Sequence, residues 1–262
     1  MIWTLLLTFV LAAGTAAAAD GKAVYLRAEL RRAGLTVAET EDFLNDPRLQ
    51  PIRPLTRSKM TWAELRTQIL ADPSVERGRN FLQEHAAAFA EIEAAFGIGR
   101  EHIAALVRVE SDFGANLGAD SVAGYFYWVL TANSAAKRWQ WAAQNLAALA
   151  AHGKHLGRDP FTISGSHAGA IGLVQFLPYS VRHYAKDGDG DGVIDLFTVP
   201  DALASAANYL KRHGWKESRA SQVRALQRYY GNPRLAVTRT YAETAMQYAA
   251  MLLAPAALAG SP

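Results

Sequence analysis

Apolar residues along this chain recur at helical spacing, and no stretch alternates with the period of two that a half-buried strand requires. Asp72 can cap, and Pro73 can occupy the first turn of, a helix whose apolar positions Leu82, Phe89, Ile92 and Phe96 run to Gly97. A second helix is predicted from Arg100 to Asp112, stopped by Gly114, and a third from Tyr125 to Ala151, closed by Gly153. Leu203, Ala206, Ala207 and Leu210 share a face of a helix from Asp201 to His213, with Gly214 at its left-handed cap. Ser218 to Tyr230 and Thr238 to Leu253 read as two more helices. Upstream, residues 20–72 read as helices and loops punctuated by Pro47, Pro51 and Pro54. The fold class is mostly α.

One helix carries a carboxylate where an aliphatic side chain is expected. Ile103, Leu106, Val107 and Glu110 stand at i, i+3, i+4 and i+7, so Glu110 shares the apolar face. Burial there disfavours the charged form and raises the pKa, which suits a general acid near neutral pH. The alternative is a rim carboxylate paired with Arg100 or Arg108. Asp112 lies two positions on and therefore on another face, which makes it a poor catalytic partner for Glu110.

Two later segments hold further candidate chemistry. In SGSHAGAIGLVQFLP, glycines permit close backbone approach, to a helix or to a ligand, and Gln175 is a lone amide in an apolar run. Its amide is either satisfied by backbone or free for a sugar. Ser166 has no nucleophile elbow around it, which argues against a serine hydrolase. In KDGDGDGVIDLFTVPDA, Asp187, Asp189 and Asp191 alternate with glycines, and Gly192 sits at the sharp turn of an EF-hand-like loop. Val193 would offer its carbonyl at position seven, and Asp195 at position nine could ligate through water. Thr198 replaces the acid expected at position twelve, leaving Asp201 as the nearby acid able to close a lengthened loop. The competing reading is a solvated acidic turn.

Composition narrows the function classes. The 262 residues carry 27 Lys and Arg against 24 Asp and Glu, a net charge of +3 with no basic stripe, so nucleic acid is not expected as a partner. With no cysteine, thiolate chemistry, disulfides and a lipidated N-terminal cysteine are excluded. Residues 1–19 carry no charge and end in small residues, with Ala17 and Ala19 placed for cleavage before Asp20. They read as a signal peptide and imply export to the periplasm without stable membrane insertion after cleavage. The alternative is an N-terminal membrane anchor if the peptide stays uncleaved. Residues 20–254 are expected to form the functional domain, including the loop 187–201, and residues 255–262 a tail.

The helix ending in VESDFG, the segment SGSHAGAIGLVQFLP, the loop after HYAKD and DALASAANYLKRHGW together resemble the lytic murein transglycosylase B family. PSVERGRNFLQEHAAAFAEIEAAFG resembles the family's preceding helix. The resemblance implies a lysozyme-like fold with small helical accessory lobes, acting on the β-1,4 bond between N-acetylmuramic acid and N-acetylglucosamine in peptidoglycan. It implies Glu110 as the single acid/base and no second carboxylate, because the muramyl C6 hydroxyl is the nucleophile and a 1,6-anhydromuramyl end is the product. Ser166 and Gln175, with Phe176, would line the glycan groove. Asp187, Asp189, Asp191 and Asp201 fall on structural calcium positions, and no organic cofactor is expected.

Two segments depart from the family. The expected Tyr-Asn pair is replaced by RYYGN, with Tyr229 the match, Tyr241 a second candidate and Asn232 displaced. Tyr230 continues the spacing of Val223 and Leu226 and reads as core. YFYWVLTANSAAKRW is also unlike the family, which leaves subsite preference open. Two other readings stand beside the enzyme. One is a water-using muramidase with Asp112 or Asp120 as second carboxylate; the other is a calcium-stabilised glycan-binding scaffold.

Overall fold

A computed structural model describes residues 21–54 and 60–254, so the signal peptide and tail readings lie outside the described residues. The described residues divide into two compact units, the first formed by residues 21–54, 118–170 and 177–182, the second by residues 60–117, 171–176 and 183–254. Helices dominate both. The described sheet is one antiparallel ladder of two residues a side, β1 (Asp120–Ser121) with β2 (Ser164–Gly165).

In the first unit, α1 covers residues 21–32 of the described chain and α2 is Val37–Asn45. Thr36 and Glu39 close a capping box over the start of α2, each satisfying the other's backbone N–H. The helix expected from Tyr125 to Ala151 is instead two helices, α7 (Val122–Ala132) and α8 (Ala136–Leu156), packed on each other. Asn133 between them is extended, and its side chain donates to the Val129 carbonyl at 2.7 Å, satisfying an open acceptor at the end of α7. Gly153 does not close α8. That role falls to Gly157, left-handed at φ 61°, after which the Arg158 N–H returns to the Gly153 carbonyl at 2.8 Å. A Cβ at Gly153 would lie 2.8 Å from the Arg158 carbonyl oxygen, so glycine is needed there for the chain that folds back. A short 3-10 turn, Pro160–Thr162, leads into β2. Leu30, Phe126, Leu146 and Leu149 are fully buried in this unit.

The second unit holds α3 (Trp62–Ile69), α4 (Asp72–Glu84), α5 (Ala86–Phe96) and α6 (Arg100–Ser111). After α9 (Pro178–Tyr184) come α10 (Val199–Arg212), α11 (Arg219–Tyr230) and α12 (Ala236–Leu253). The helix predicted from Asp72 to Gly97 is broken at His85, where φ −109° and ψ 27° leave the helical region. The break lets α4 pack on α6 and α12 while α5 packs on α10, two sets of partners that one straight rod would not reach. Asp72 is the first helical residue rather than the cap, which is Ala71. Helix α6 is central, touching α4, α5, α10 and α12, and Ile103, Leu106 and Val107 on it are fully buried. Burying each such aliphatic side chain contributes about 1.5–3 kcal/mol.

Candidate active site

Glu110 sits one turn beyond Leu106 and Val107, half-buried at the end of α6. Arg100 and Arg108, the arginines of its own helix, are engaged elsewhere. Arg100 pairs with Glu93, its Nε donating at 2.7 Å, and Arg108 donates from Nε to Ser74 Oγ at 2.6 Å and pairs with Asp112 at 3.2 Å. With no cation paired to it among the described residues, burial pushes the Glu110 carboxyl up to about 7. A hydrogen bond donated by the Tyr241 hydroxyl to Glu110 Oε1 pulls the other way, since it favours the charged form.

Tyr241 comes from α12, 131 residues along the chain, and is 1% exposed. Its ring meets Trp62 edge-on at 6.2 Å and Tyr230 at 4.8 Å. Tyr229, on α11, donates its hydroxyl to the Val174 carbonyl at 2.7 Å. Burial and the nearby Glu110 carboxyl push both Tyr229 and Tyr241 well above the usual phenol value, so both remain protonated donors. Tyr230, expected in the core, is 43% exposed and lies edge-on to Trp62 at 5.6 Å. Its position at the last turn of α11 lets the ring leave the packed face that Ala225 and Leu226 occupy. Trp62 escaped the sequence reading. The Thr61 and Glu64 capping box marks the start of α3, but nothing local ties its first residue to α11 and α12.

A left-handed run sets where α6 stops. Asp112, Phe113 and Gly114 have φ of 51°, 58° and 91°, costly for the two non-glycine residues by about 1–2 kcal/mol each. Asp112 is held by Arg77 at 3.0 Å and by Arg108, and the Phe113 ring stacks near Phe81 at 4.8 Å. Ser111 Oγ donates to the Leu173 carbonyl at 2.7 Å and accepts from Gly114 N at 3.0 Å. The residue after Glu110 thus anchors α6 to the 171–176 turn. Gly172 in that turn is left-handed at φ 72°, and a Cβ there would lie 2.4 Å from the Leu196 carbonyl oxygen.

Gln175 and Phe176 occupy this turn. The Gln175 amide nitrogen donates to the carbonyls of Gly172 at 2.9 Å and Leu117 at 3.3 Å, as the backbone-satisfied reading requires. Phe176 departs from its expected place on a groove wall. It is 3% exposed and packs behind Tyr229 and Tyr209, each 5.7 Å away, because the Ile171 to Phe176 bridge turns its ring inward. Ser166 lies in the first unit, accepting at Oγ from Ala170 N at 3.2 Å. The glycines around it serve close packing within that unit. A Cβ on Gly165 would meet the Ala170 carbonyl oxygen at 2.2 Å, and one on Gly169 the Phe126 ring at 2.6 Å.

The acidic loop precedes α10. Asp187 accepts from the N–H groups of Gly190 at 2.6 Å and Gly192 at 2.9 Å, both glycines being left-handed. Asp201, in the first turn of α10, reaches back to accept from Gly188 at 2.7 Å and Asp195 at 2.6 Å. Backbone donors hold Asp187 below its usual value, while burial raises Asp201. Asp187, Asp189 and Asp201 each place a carboxylate oxygen within 4.8 Å of the others, a hard oxygen donor set that suits calcium. Asp191 stands outside this group and accepts from Val193 N at 2.7 Å; the Val193 side chain is exposed. Asp195 is buried, and its Oδ1 caps the Phe197 N–H at 3.0 Å.

The chain is 53% identical over 57 residues to membrane-bound lytic murein transglycosylase B of Escherichia coli, a stretch that is 22% of this chain and 16% of that protein. Among solved structures it resembles soluble lytic transglycosylase SltB1 of Pseudomonas aeruginosa, with TM-score 0.70, 24% identity and coverage of 88% of this chain and 98% of that one. It also resembles the E. coli lytic transglycosylase Slt35 in complex with calcium, with TM-score 0.65, 19% identity and 83% of each chain covered. The fold is accordingly that of the lysozyme-like lytic transglycosylases. The profile of SLT_2, the transglycosylase SLT domain, matches residues 18–257, a span that includes all the described residues, and the protein belongs to that family.

Proposed function

We propose that the protein is a peptidoglycan lytic transglycosylase that cleaves the β-1,4 bond between N-acetylmuramic acid and N-acetylglucosamine. The observation that carries this reading is a carboxyl, Glu110, poised near pH 7 beside a tyrosine donor and paired with no cation among the described residues. A group in that state can give a proton at neutral pH and take one back. Glu110 as acid donates its proton to the glycosidic oxygen as the bond to C1 breaks, and the N-acetylglucosamine side leaves as an alcohol. Glu110 as carboxylate then accepts the proton of the muramyl C6 hydroxyl while that oxygen bonds to C1. Protons balance, the acid is regenerated, and water takes no part. Tyr241, protonated throughout, holds the carboxylate orientation and stabilises its charge between the two steps. Asp112, the nearest candidate for a second catalytic carboxylate, is occupied by Arg77 and Arg108, which weighs against a water-using muramidase.

Gln175, its amide nitrogen held by backbone and its oxygen left to accept, is a proposed sugar contact, with Tyr229 shaping the wall beside Glu110 and Phe176 supporting it from behind; Ser166 is proposed as a sugar contact of the first unit alone. Asp187, Asp189 and Asp201 would hold a calcium ion, whose role is to neutralise the clustered charge and fix the loop that enters α10. The calcium complex of the related Slt35 supports this assignment. Residues 20–254 would form the catalytic region, exported to the periplasm by residues 1–19. Among the described residues no helix is long and apolar enough to cross a membrane.

Mass spectrometry of soluble products from intact sacculi tests the reaction. Muropeptides lighter by one water than hydrolytic products are expected. Ordinary reducing ends would instead indicate a hydrolase, and no release a binding scaffold.

A further inference from the structure

The first unit holds a cavity of about 870 Å³, within the size range of small-molecule sites, that the proposed reaction does not use. Its wall is built from the start of α1, the end of α2 and the connection between α7 and α8, within the segment whose sequence departs from the family. Leu26, Leu49 and Leu130 supply buried apolar surface. Trp139 and Tyr127 add half-buried rings, and Tyr25 meets Trp139 edge-on at 5.2 Å, fixing its plane.

Charge in this wall is unbalanced at one point. Arg27 is neutralised by Glu41, with contacts of 2.7 and 2.9 Å. Lys22 is not. Its ammonium donates to the backbone carbonyls of Asn133 at 2.7 Å and Thr131 at 3.2 Å and pairs with no carboxylate among the described residues. An ammonium has three donors, so one remains for a ligand acceptor. Two neutral carbonyls position the charge without cancelling it, which favours an anion. Nearby, Ser134 is exposed, and the Asn45 amide nitrogen donates to the Glu41 carbonyl, leaving its oxygen to accept.

An aromatic face beside a leucine floor, hydroxyl and amide groups, and one cation with no counter-ion among the described residues match a pyranose ring joined to a carboxylate. We propose that this cavity is a second, non-catalytic site for carboxylate-bearing amino-sugar glycan, with the acid on Lys22 and the sugar ring against Trp139. The choice of a peptidoglycan fragment rests on the transglycosylase reading. In its terms, the ligand is a muramyl unit whose stem peptide carries the acid. The site would retain the enzyme on peptide-bearing strands.

The test is titration of the protein with N-acetylglucosaminyl-N-acetylmuramyl tetrapeptide, followed by the indole N–H resonance of Trp139 in nuclear magnetic resonance spectra. Uncharged chitotetraose is the control. The muropeptide should shift that resonance saturably, Lys22→Gln should weaken binding about tenfold through loss of a charge-assisted bond, and chitotetraose should bind as weakly to wild type as the muropeptide does to Lys22→Gln. Ser134→Trp, on an exposed loop, should block the shift by filling the cavity; with thermal melts of both variants, it keeps the test valid if one fails to fold. An unmoved indole resonance, equal affinity for chitotetraose, or wild-type affinity in folded Lys22→Gln would overturn the proposal. Product analysis on sacculi separates the two readings. Anhydro ends with no Trp139 response would leave the enzyme and remove this site, whereas a Trp139 response without anhydro ends would do the reverse.

Discussion

The Glu110 pocket and the acidic loop use the same functional group to opposite ends. At Glu110 the surroundings are apolar, Arg100 and Arg108 face other partners, and the carboxyl is pushed up to about 7. At Asp187 the carboxylate collects the Gly190 and Gly192 N–H groups and is held ionised below its usual value. What differs is the donor supply. The glycine-rich loop can aim backbone N–H groups at its acids, whereas helix α6 has already spent its own inside the helix. A carboxylate on a helix's apolar face is therefore raised and chemically active, and one in a glycine turn is charged and ready for a cation.

The largest effect should come from removing the active carboxyl. Glu110→Gln is expected to reduce release of anhydromuropeptides by at least about 100-fold, the usual scale of a general acid or base, while glycan binding persists. Retained lysis by the folded variant would assign the chemistry to another group and erase the contrast between the sites.

The same substitution should change stability with a definite sign. Because the Glu110 pKa is raised from 4.5 to about 7 on folding, the native state binds more protons than the unfolded chain between those values. Wild-type stability therefore falls as pH rises through that window. Glu110→Gln removes this cost, on the order of 3 kcal/mol above pH 7 and vanishing below pH 4.5. Paired thermal melts at pH 4 and pH 8 should show the variant level with wild type at the lower pH and above it at the higher. An unchanged gap would mean that Glu110 is not held neutral by burial.

For the loop, calcium at a hundredfold excess over its dissociation constant should stabilise the protein by about 2.7 kcal/mol, a rise of roughly 5–10 °C in Tm. Asp201→Asn should remove most of that rise, since Asp201 is one of three acids grouped there. Equal melts in calcium and chelator would identify a solvated turn. A smaller change is expected from Tyr241→Phe. Its hydroxyl favours the Glu110 carboxylate, so its loss should move the alkaline limb of kcat/KM to higher pH and lower the rate. A limb that stays put would limit Tyr241 to packing.

Much of this was legible locally. The spacing of Ile103, Leu106, Val107 and Glu110 places the acid on the buried face, and the aspartate-glycine alternation marks the loop because both signals lie within one element. What failed depended on partners distant in sequence. The break at His85 and the split at Asn133 follow from which helices each half packs against, while the apolar pattern runs through both. Gly153 resembled a stop because glycine is rare inside helices, but its role is to admit the returning chain at Arg158. Phe176 and Tyr230 exchanged expected places, one buried by a bridge and the other freed at a helix end. The Tyr241 contact with Glu110 spans 131 residues, and no local spacing encodes it.

The central claim is that burial keeps Glu110 protonated to near neutrality. It is tested most directly by following the Glu110 side-chain carboxyl carbon through a pH titration by nuclear magnetic resonance, with Glu110→Gln supplying the assignment. A midpoint near 7 is predicted, and a midpoint near 4.5 would contradict the account, leaving a carboxylate already charged at neutral pH with no proton to give.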